Sequence, residues 1–205
     1  MGRFKNNKKK NRRITTKDLK YNIFAGVDEV GRGSLVGPVY AAVVVLNKSI
    51  NSKILKDSKI LTKERRQFLF RYIKKNSIWA IGKASVEEID KINILQASLL
   101  AMKRAIKKLK KKPSKVLIDG NKIPHLKNYN LKAIIKGDQK IPSISAASIV
   151  AKVSRDTFIK RLAKKNKGYN WEQNNGYGTK QHLKAIKKLG ITKHHRKTFA
   201  PASKL

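Results

Sequence analysis

The sequence contains no cysteine, which excludes disulfide bonds, thiolate metal sites and thiol catalysis. It contains only four histidines, and because they lack metal-ligand spacing we assign them no chemistry. No apolar run approaches the roughly 20 residues that a membrane-spanning helix needs. The basic N-terminus also lacks the apolar core of a secretory signal. We therefore expect a cytoplasmic protein that makes no membrane contact.

Acidic residues are scarce: 12 Asp and Glu stand against 50 Lys and Arg, for a formal net charge of +38 among 205 residues. Lys and Arg side chains that neutralise phosphates release condensed counterions, so this balance favours a nucleic-acid partner. A general preference for lysine on the surface is the alternative explanation. The 40% apolar content and the length are sufficient for a folded domain with a real core.

Apolar periodicity predicts an α/β domain with a mixed central sheet. The first two strands flank Gly31-Arg32-Gly33 and together predict a β-hairpin. Strands are predicted at 23–29, 36–46, 78–84, 115–118 and 131–135, and helices at 62–75, 86–91, 94–110, 143–165 and 180–189. The helix at 143–165 begins with a segment rich in Ala and Ser, which allows close approach of another backbone.

Three of the predicted strands end at an acidic residue that lies close to a glycine. These acidic residues are Asp28 and Glu29, Asp119, and Asp138. Ligands of open α/β sheets gather at the carboxyl ends of strands, so we expect the four carboxylates to meet in one small volume. Like charges raise each other's pKa, and one or two hard divalent cations would resolve the conflict. Oxygen ligands without cysteine select Mg²⁺ or Mn²⁺.

A pair of carboxylate-bound metals is one solution for phosphodiester cleavage, since one metal supports the attacking hydroxide and the other stabilises the leaving oxygen. An acidic metal site within a basic protein fits a nucleic-acid substrate. For any single aspartate, the alternative is a helix N-cap or a turn residue. Adjacent residues of a regular strand point to opposite faces, so Asp28 and Glu29 share a site only if the strand ends or bulges there. The glycine at position 31 makes this possible.

Several sequence blocks, in the expected order from about Phe24 to Pro201, resemble type 2 ribonuclease H (bacterial ribonuclease HII). The blocks are VDEVGRGSLVGPV, DSKIL, LIDGN, KGDQKIPSISAASIVAKVSRD, NNGYGTKQHL and HHRKTFAP. The resemblance implies an α/β, ribonuclease H-like mixed central sheet flanked by helices, with a small helical C-terminal region. We accordingly divide the chain into a flexible basic arm (1–22), a catalytic domain (23–165) and a C-terminal helical, basic, substrate-binding segment (166–205).

The resemblance also implies an activity and its substrates. The expected enzyme is an endonuclease that cuts the RNA strand of RNA–DNA hybrids and nicks duplex DNA on the 5′ side of embedded ribonucleotides. Water is the nucleophile, and the products carry a 3′-OH and a 5′-phosphate. Mn²⁺ or Mg²⁺ is the implied cofactor, and no obligate protein partner is implied.

The same resemblance assigns roles to individual residues. Metal binding and catalysis fall to Asp28, Glu29, Asp119 and Asp138. The backbone of Gly31, Arg32 and Gly33, with the Arg32 side chain, would contact the 2′-OH and the adjacent phosphate. Tyr177 would pack against the deoxyribose that follows the ribonucleotide. Lys59 and Arg196 are predicted substrate-binding cations, with a solvated surface position as the alternative.

Two other functions are weighed against this one. A noncatalytic basic protein that binds RNA or DNA would explain the charge, but not why the scarce acids cluster at strand ends. The sister enzyme ribonuclease HIII carries a substantial extra N-terminal substrate-binding domain, and the polar arm (1–22) is too short to fold into one.

Overall fold

The computed structural model describes residues 24–47, 49–55 and 61–202. The predicted basic arm (1–22) and Lys59 lie outside the described residues. The strands are β1 Phe24–Val30, β2 Val39–Leu46, β3 Ser77–Ala84, β4 Lys115–Asp119 and β5 Leu131–Ile134. The helices are α1 Lys63–Asn76, α2 Val86–Lys107, α3 Gly137–Lys140, α4 Pro142–Lys165, α5 Trp171–Asn174 and α6 Lys180–Leu189, with a short 3-10 helix at Ser52–Leu55.

The five strands form one mixed sheet in the order β3-β2-β1-β4-β5. β1 pairs antiparallel with β2, as the predicted hairpin requires, and β2 pairs antiparallel with β3. β4 lies parallel to both β1 and β5, with Val27 opposite Ile118 and Asp119 opposite Ile134. The carboxyl ends of β1, β4 and β5 therefore lie at the same edge of the sheet.

Both faces of the sheet are covered by helices. On one face, Ala41 and Val43 of β2 join a buried cluster with the alanines of α2. On the other face, Ala42 and Val44 pack with side chains from α1 and α4. Burial of both faces explains why β2 is a continuous apolar run rather than an alternating one. Each fully buried Val contributes about 1.5–3 kcal/mol relative to an exposed one.

The start of α4 lies directly on β1. A Cβ atom added to Gly26 would overlap the backbone of Ser143 and Ile144, so only glycine allows this approach. The small side chains at the start of α4, including Ala146 and Ala147, are buried against the sheet. This contact confirms the close backbone approach that the Ala- and Ser-rich segment predicts. The start of α4 therefore packs against β1 at Gly26, two residues before Asp28.

Local signals define the ends of α1 and α2. The hydroxyl of Thr62 accepts the N–H of Arg65 at 3.2 Å and caps α1. α2 spans both predicted helices, and the break between them is Asn93, which has a φ of 64°. The side chain of Asn93 accepts the amides of Leu95 and Gln96 at 3.0 and 3.1 Å, so it caps the second helical segment internally.

The C-terminal part of the described chain has its own buried cluster, centred on Trp171 and including Leu35, Val36 and Ile186. The four-residue helices α3 and α5 were not predicted, because one helical turn carries no periodicity. None of the helices in the described ranges combines the length and apolarity needed to cross a bilayer.

Candidate active site

Parallel pairing brings the predicted acids together at one edge of the sheet. Val27 and Ile118 are paired neighbours, and the next residues along the two strands are Asp28 and Asp119. The side-chain oxygen Oδ1 of Asp119 accepts the amides of Gly137 at 2.7 Å and Asp138 at 3.3 Å. Asp119 therefore holds the start of α3, and Asp138 with it, against the end of β4.

Two of these carboxyls are perturbed by burial and by each other. Asp28 is only 6% exposed. Burial raises its pKa well above the usual range, repulsion from Glu29 and Asp119 adds to the rise, and a hydrogen bond with Ser148 opposes it. Burial also raises the pKa of Glu29, against the ion pair with Arg32 at 3.3 Å and with further repulsion from Asp119. Three carboxyls thus interact electrostatically in one region.

The donor chemistry of this region fits a hard divalent cation. Among the described residues, no hydrogen-bond partner is found for the buried Oε2 of Glu29. The candidate ligands supply oxygen only, which Mg²⁺ and Mn²⁺ prefer. No three Asp, Glu, His or Cys side chains within 24–47, 49–55 and 61–202 already form a metal-binding cluster. Coordination of one ion by several of these acids therefore requires their side chains to rotate from the present positions.

The edge of the sheet that carries Asp28, Glu29, Asp119 and Asp138 is called the acidic edge below. A cleft of about 250 Å³ opens beside it. Glu29 and Asp119 line it, and the exposed cations Arg32 and Lys122 stand beside them. The remaining lining residues are Gly120, Asn121, Leu95, Ser98, Leu99 and Met102. Carboxylates that line a cleft next to exposed cations suit a polyanionic ligand, whose phosphates the cations attract.

The loop Gly31–Gly33, called the GRG loop below, follows β1 directly. Gly31 has a φ of 91°, in the left-handed region that favours glycine, and a Cβ there would overlap the side chain of Arg155. Arg32 and Gly33 are exposed. The loop therefore lies beside the acidic edge, with its underside packed and its outer residues facing solvent.

Tyr177 lies beside the GRG loop although it is distant in sequence. It forms an isolated β-bridge with Ser34, and the amide of Leu35 donates to the carbonyl of Gly176 at 2.9 Å. The hydroxyl of Ser34 also donates to Gly176, which is 142 residues away along the chain. The fold therefore brings together the two elements that the resemblance assigns to ribonucleotide recognition.

Arg196 is buried beneath the GRG loop, with 0% of the residue exposed. Its guanidinium donates to the carbonyls of Gly31 at 2.7 Å, Arg32 at 2.8 Å and Gly37 at 2.9 Å. Burial lowers its pKa to about 9, with a further contribution from Arg155. The solvated surface position considered for Arg196 is therefore wrong, and its side chain contacts the loop from the interior.

Arg155 is a second buried arginine, and the sequence analysis missed it. It is 0% exposed and donates to the hydroxyl of Ser34 at 2.7 Å and to the carbonyls of Val36 and Asn175 at 2.9 and 3.1 Å. Its guanidinium lies 5.6 Å from the ring centroid of Tyr177. The available signal was its helical position, four residues after the buried Ala151.

Two buried histidines connect Tyr177 to Trp171 and Thr192 within the C-terminal segment. Nδ1 of His195 accepts the amide of Thr192 at 2.9 Å, so the ring proton lies on Nε2 and faces Nε2 of His182 at 3.3 Å. That nitrogen also accepts the indole N–H of Trp171 at 2.9 Å, which leaves Nδ1 of His182 to donate to the carbonyl of Tyr177. Burial lowers the pKa of both histidines, and that of His195 reaches about 4. Both rings are therefore neutral at pH 7.

The mixed sheet, covered by α2 on one face and by α1 and α4 on the other, defines an α/β protein of ribonuclease H-like fold. Residues 25–202 match the family model of ribonuclease HII. A ribonuclease HII of Pelagibacter ubique (strain HTCC1062) is 73% identical over 183 residues, which cover 89% of this chain and 98% of the relative. The chain therefore belongs to the ribonuclease HII family, whose members are metal-dependent ribonuclease H hydrolases.

Solved structures of related proteins share the fold. The ribonuclease H2 of Pyrococcus horikoshii OT3 has a TM-score of 0.71 and 28% identity, covering 88% of this chain and 95% of the other. Bst ribonuclease HIII in complex with Mn²⁺ also has a TM-score of 0.71, at 19% identity, covering 89% of this chain and 68% of the other. The second similarity concerns the fold alone. The predicted family, fold class and enzyme class are confirmed.

Proposed function

We propose that this protein hydrolyses the RNA strand of RNA–DNA hybrids and nicks duplex DNA on the 5′ side of embedded ribonucleotides, leaving a 3′-OH and a 5′-phosphate. One observation carries the proposal: the acidic edge and the GRG loop are contiguous, and the Ser34–Tyr177 bridge adds the tyrosine beside them. Groups suited to phosphate hydrolysis and groups suited to recognition of a ribose therefore meet in one place.

The acids Asp28, Glu29, Asp119 and Asp138 are the proposed catalytic and metal-binding residues. These acids would hold Mg²⁺ or Mn²⁺, which when bound would supply Lewis-acid stabilisation of charge at the scissile phosphate. The raised pKa values of Asp28 and Glu29 support this assignment, because buried, mutually repelling carboxyls gain most from a cation. The buried oxygen of Glu29 described above is a further available ligand.

The GRG loop and Tyr177 are the proposed recognition elements. Glycines allow close approach of the backbone to a ribose, and the 2′-OH is the group that distinguishes RNA from DNA. The half-exposed guanidinium of Arg32, which contacts Glu29 at 3.3 Å, is proposed to contact a phosphate beside the site. Tyr177 lies beside the loop, bridged to Ser34, and its ring is proposed to pack against the next sugar. Two cations, Lys152 and Arg155, lie within 6 Å of that ring.

The substrates and setting follow from these assignments. The ligand is an RNA–DNA hybrid or a DNA duplex that contains a ribonucleotide, and we propose no obligate protein partner and a cytoplasmic location. The C-terminal segment (166–205) contributes Tyr177 and Arg196 to the recognition region, which supports a substrate-binding function for it after the catalytic domain (23–165). Lys59 stays a predicted substrate-binding residue.

A labelled DNA duplex with one embedded ribonucleotide tests the proposal. We expect a single nick on the 5′ side of the ribonucleotide with Mn²⁺ or Mg²⁺, and no cleavage in EDTA. An all-DNA duplex of the same sequence is the control and should stay intact. Binding to the ribonucleotide duplex without cleavage in either metal would contradict the proposal and favour the noncatalytic binding protein.

A further inference from the structure

The hydrogen bonds of Arg196 determine which way two peptide groups of the GRG loop point. The carbonyls of Gly31 and Arg32 both accept from this guanidinium, so both face the interior. In a trans peptide the N–H points opposite to the C=O of the same unit. The N–H groups of Arg32 and Gly33 therefore point away from the buried arginine and toward solvent.

These two outward amides form a site for an oxygen ligand. Within the part of the chain that the structure describes, no hydrogen bond takes up the N–H of Arg32 or of Gly33. Successive backbone N–H groups with one orientation make a concavity that binds anions and other oxygen acceptors. No described atom outside the immediate chain lies within 4 Å of a Cβ built on Gly33, and both Arg32 and Gly33 are exposed, so this part of the loop faces open space.

Arg155 fixes the position of the same loop relative to Tyr177. Its side chain occupies the space beside Gly31 where a Cβ would otherwise project. The same guanidinium donates to the carbonyl of Asn175, two residues before Tyr177, and to Ser34, the bridge partner of the tyrosine. One rigid, planar group therefore contacts both predicted recognition elements and sets their separation.

The partners of these arginines point to a ligand that is negatively charged. Neither Arg155 nor Arg196 forms a salt bridge with a carboxylate of the described ranges, and their hydrogen-bond acceptors are carbonyl oxygens and one hydroxyl. Burying an arginine without a carboxylate carries a desolvation cost that an apolar residue would avoid. The two positive charges lie behind the outward amides, where they favour a phosphate or a polarised hydroxyl oxygen.

We infer that Arg196 is a positioning residue for ribonucleotide recognition: it turns the amides of Arg32 and Gly33 toward the substrate, while Arg155 holds the loop at a set distance from Tyr177. The inference rests on the proposed function. Arg196 contacts the GRG loop from the interior, so it acts on the substrate indirectly, by orienting the peptide groups of the loop.

The substitution Arg196→Lys separates charge from geometry. Lysine keeps the positive charge, but a single ammonium cannot replace a planar fork across three carbonyls. We measure binding to a one-ribonucleotide duplex and to an all-DNA duplex by fluorescence anisotropy in EDTA. We expect the affinity of the variant for the ribonucleotide duplex to fall by about ten- to a hundredfold, the loss typical of hydrogen bonds to charged groups, with the affinity for all-DNA unchanged.

The control variant is Ile73→Val, which removes one methylene from a buried residue of α1 that makes no hydrogen bond to the loop. It should keep the preference for the ribonucleotide duplex. A preference retained by Arg196→Lys, or lost equally by Ile73→Val, would overturn the inference. Metal-dependent nicking by the wild-type protein is scored in parallel, so that failure of the proposed function is seen separately.

Amide hydrogen exchange tests the same inference without a variant. By NMR, the amides of Arg32 and Gly33 should exchange rapidly in the free protein, because they lack partners. In EDTA, the one-ribonucleotide duplex should slow their exchange more than the all-DNA duplex does. Slow exchange of both amides in the free protein, or equal protection by the two duplexes, would overturn the inference even if Arg196→Lys does not fold.

Discussion

Two neighbouring regions of this molecule carry opposite charge. At the acidic edge, burial and mutual repulsion raise the pKa of Asp28 and Glu29. Beneath the GRG loop, burial lowers the pKa of Arg155 and Arg196 among carbonyl oxygens. Gly31 follows Glu29 by two residues, so the chain passes from one region to the other within one short segment.

The two regions differ in whether their charged side chains have hydrogen-bond partners inside the protein. The arginines have well-formed hydrogen bonds inside the protein, so they act through geometry. At the acidic edge, the buried Oε2 of Glu29 has no hydrogen-bond partner among the described residues, so it is free to accept a ligand such as a bound cation. Buried charge is costly unless it is paired. We therefore expect substitutions of the acids to remove activity while sparing stability, and substitutions around the arginines to weaken ribonucleotide recognition and lower stability.

The largest effect is expected for Asp119→Asn. Cleavage should fall by about 10³-fold or more, because metal stabilisation of the transition state amounts to several kcal/mol. The new amide oxygen can still accept the N–H of Gly137, so the fold should be retained. Substrate binding should stay intact or strengthen, since a charge that repels the substrate is removed. Nicking and anisotropy assays measure the two quantities.

The control for this prediction is Glu64→Gln, which removes an equal charge from the exposed first turn of α1. It should cleave at the wild-type rate. Cleavage by Asp119→Asn at a near wild-type rate would remove Asp119 from the active site and weaken the contrast between the two regions.

An intermediate effect, on stability, is expected from the two buried histidines beside Tyr177. The pKa of His195 is about 4 in the folded protein against an ordinary 6.5. Between these values the unfolded chain binds a proton that the folded chain does not, so stability falls as the pH falls from 6.5 to 4. The full effect of His195 is about 3 kcal/mol, and His182 acts in the same direction.

Urea unfolding at pH 7, 5.5 and 4.5 measures this effect. The variant His195→Gln cannot titrate in this range, so its stability should decrease less on acidification than that of the wild type. Asp28 and Glu29 contribute with the opposite sign in both proteins, and the difference between variant and wild type cancels them. Parallel curves for the two proteins would contradict a buried, neutral His195.

The smallest effect is expected for Asp28→Asn without metal. Above pH 3.8, the ordinary pKa of an aspartate, Asp28 keeps its proton in the folded chain and loses it in the unfolded chain. The wild type therefore loses stability as the pH rises toward the raised pKa of folded Asp28. The variant should melt about 2–4 °C higher at pH 7 in EDTA, the shift that about 1 kcal/mol gives at this size. Saturating Mn²⁺ should reverse the order, because it stabilises the wild type.

The matched control is Asp90→Asn. Both carboxylate oxygens of Asp90 accept hydrogen bonds, from the amides of Lys197 and Thr198 at 3.1 and 3.0 Å. An asparagine can accept only one of them, so this variant should melt lower than the wild type. A lower melting temperature for Asp28→Asn in EDTA as well would show that its charge is compensated inside the protein.

Much of the fold could be predicted because its signals are local. The continuous apolar run of β2 indicates a strand buried on both faces, and Thr62 marks the start of α1. Asp28 and Asp119 were identifiable because a carboxylate is rare in this chain and unusual at the end of an apolar strand. The one-turn helices α3 and α5 carry no such signal, and their ends depend on contacts with distant residues.

The sequence by itself determined the order of the strands and longer helices and the placement of Asp28, Glu29 and Asp119 near strand ends, since both depend on periodicity and covalent neighbours. Asp138, which was predicted at a strand end, lies instead in α3. Only the tertiary structure decided that Tyr177 lies beside Ser34 and that Arg196 turns inward to the GRG loop. An arginine side chain is long enough to face either solvent or interior. The carbonyls that select the interior position come from residues more than 150 positions away, and only the packed fold brings them there.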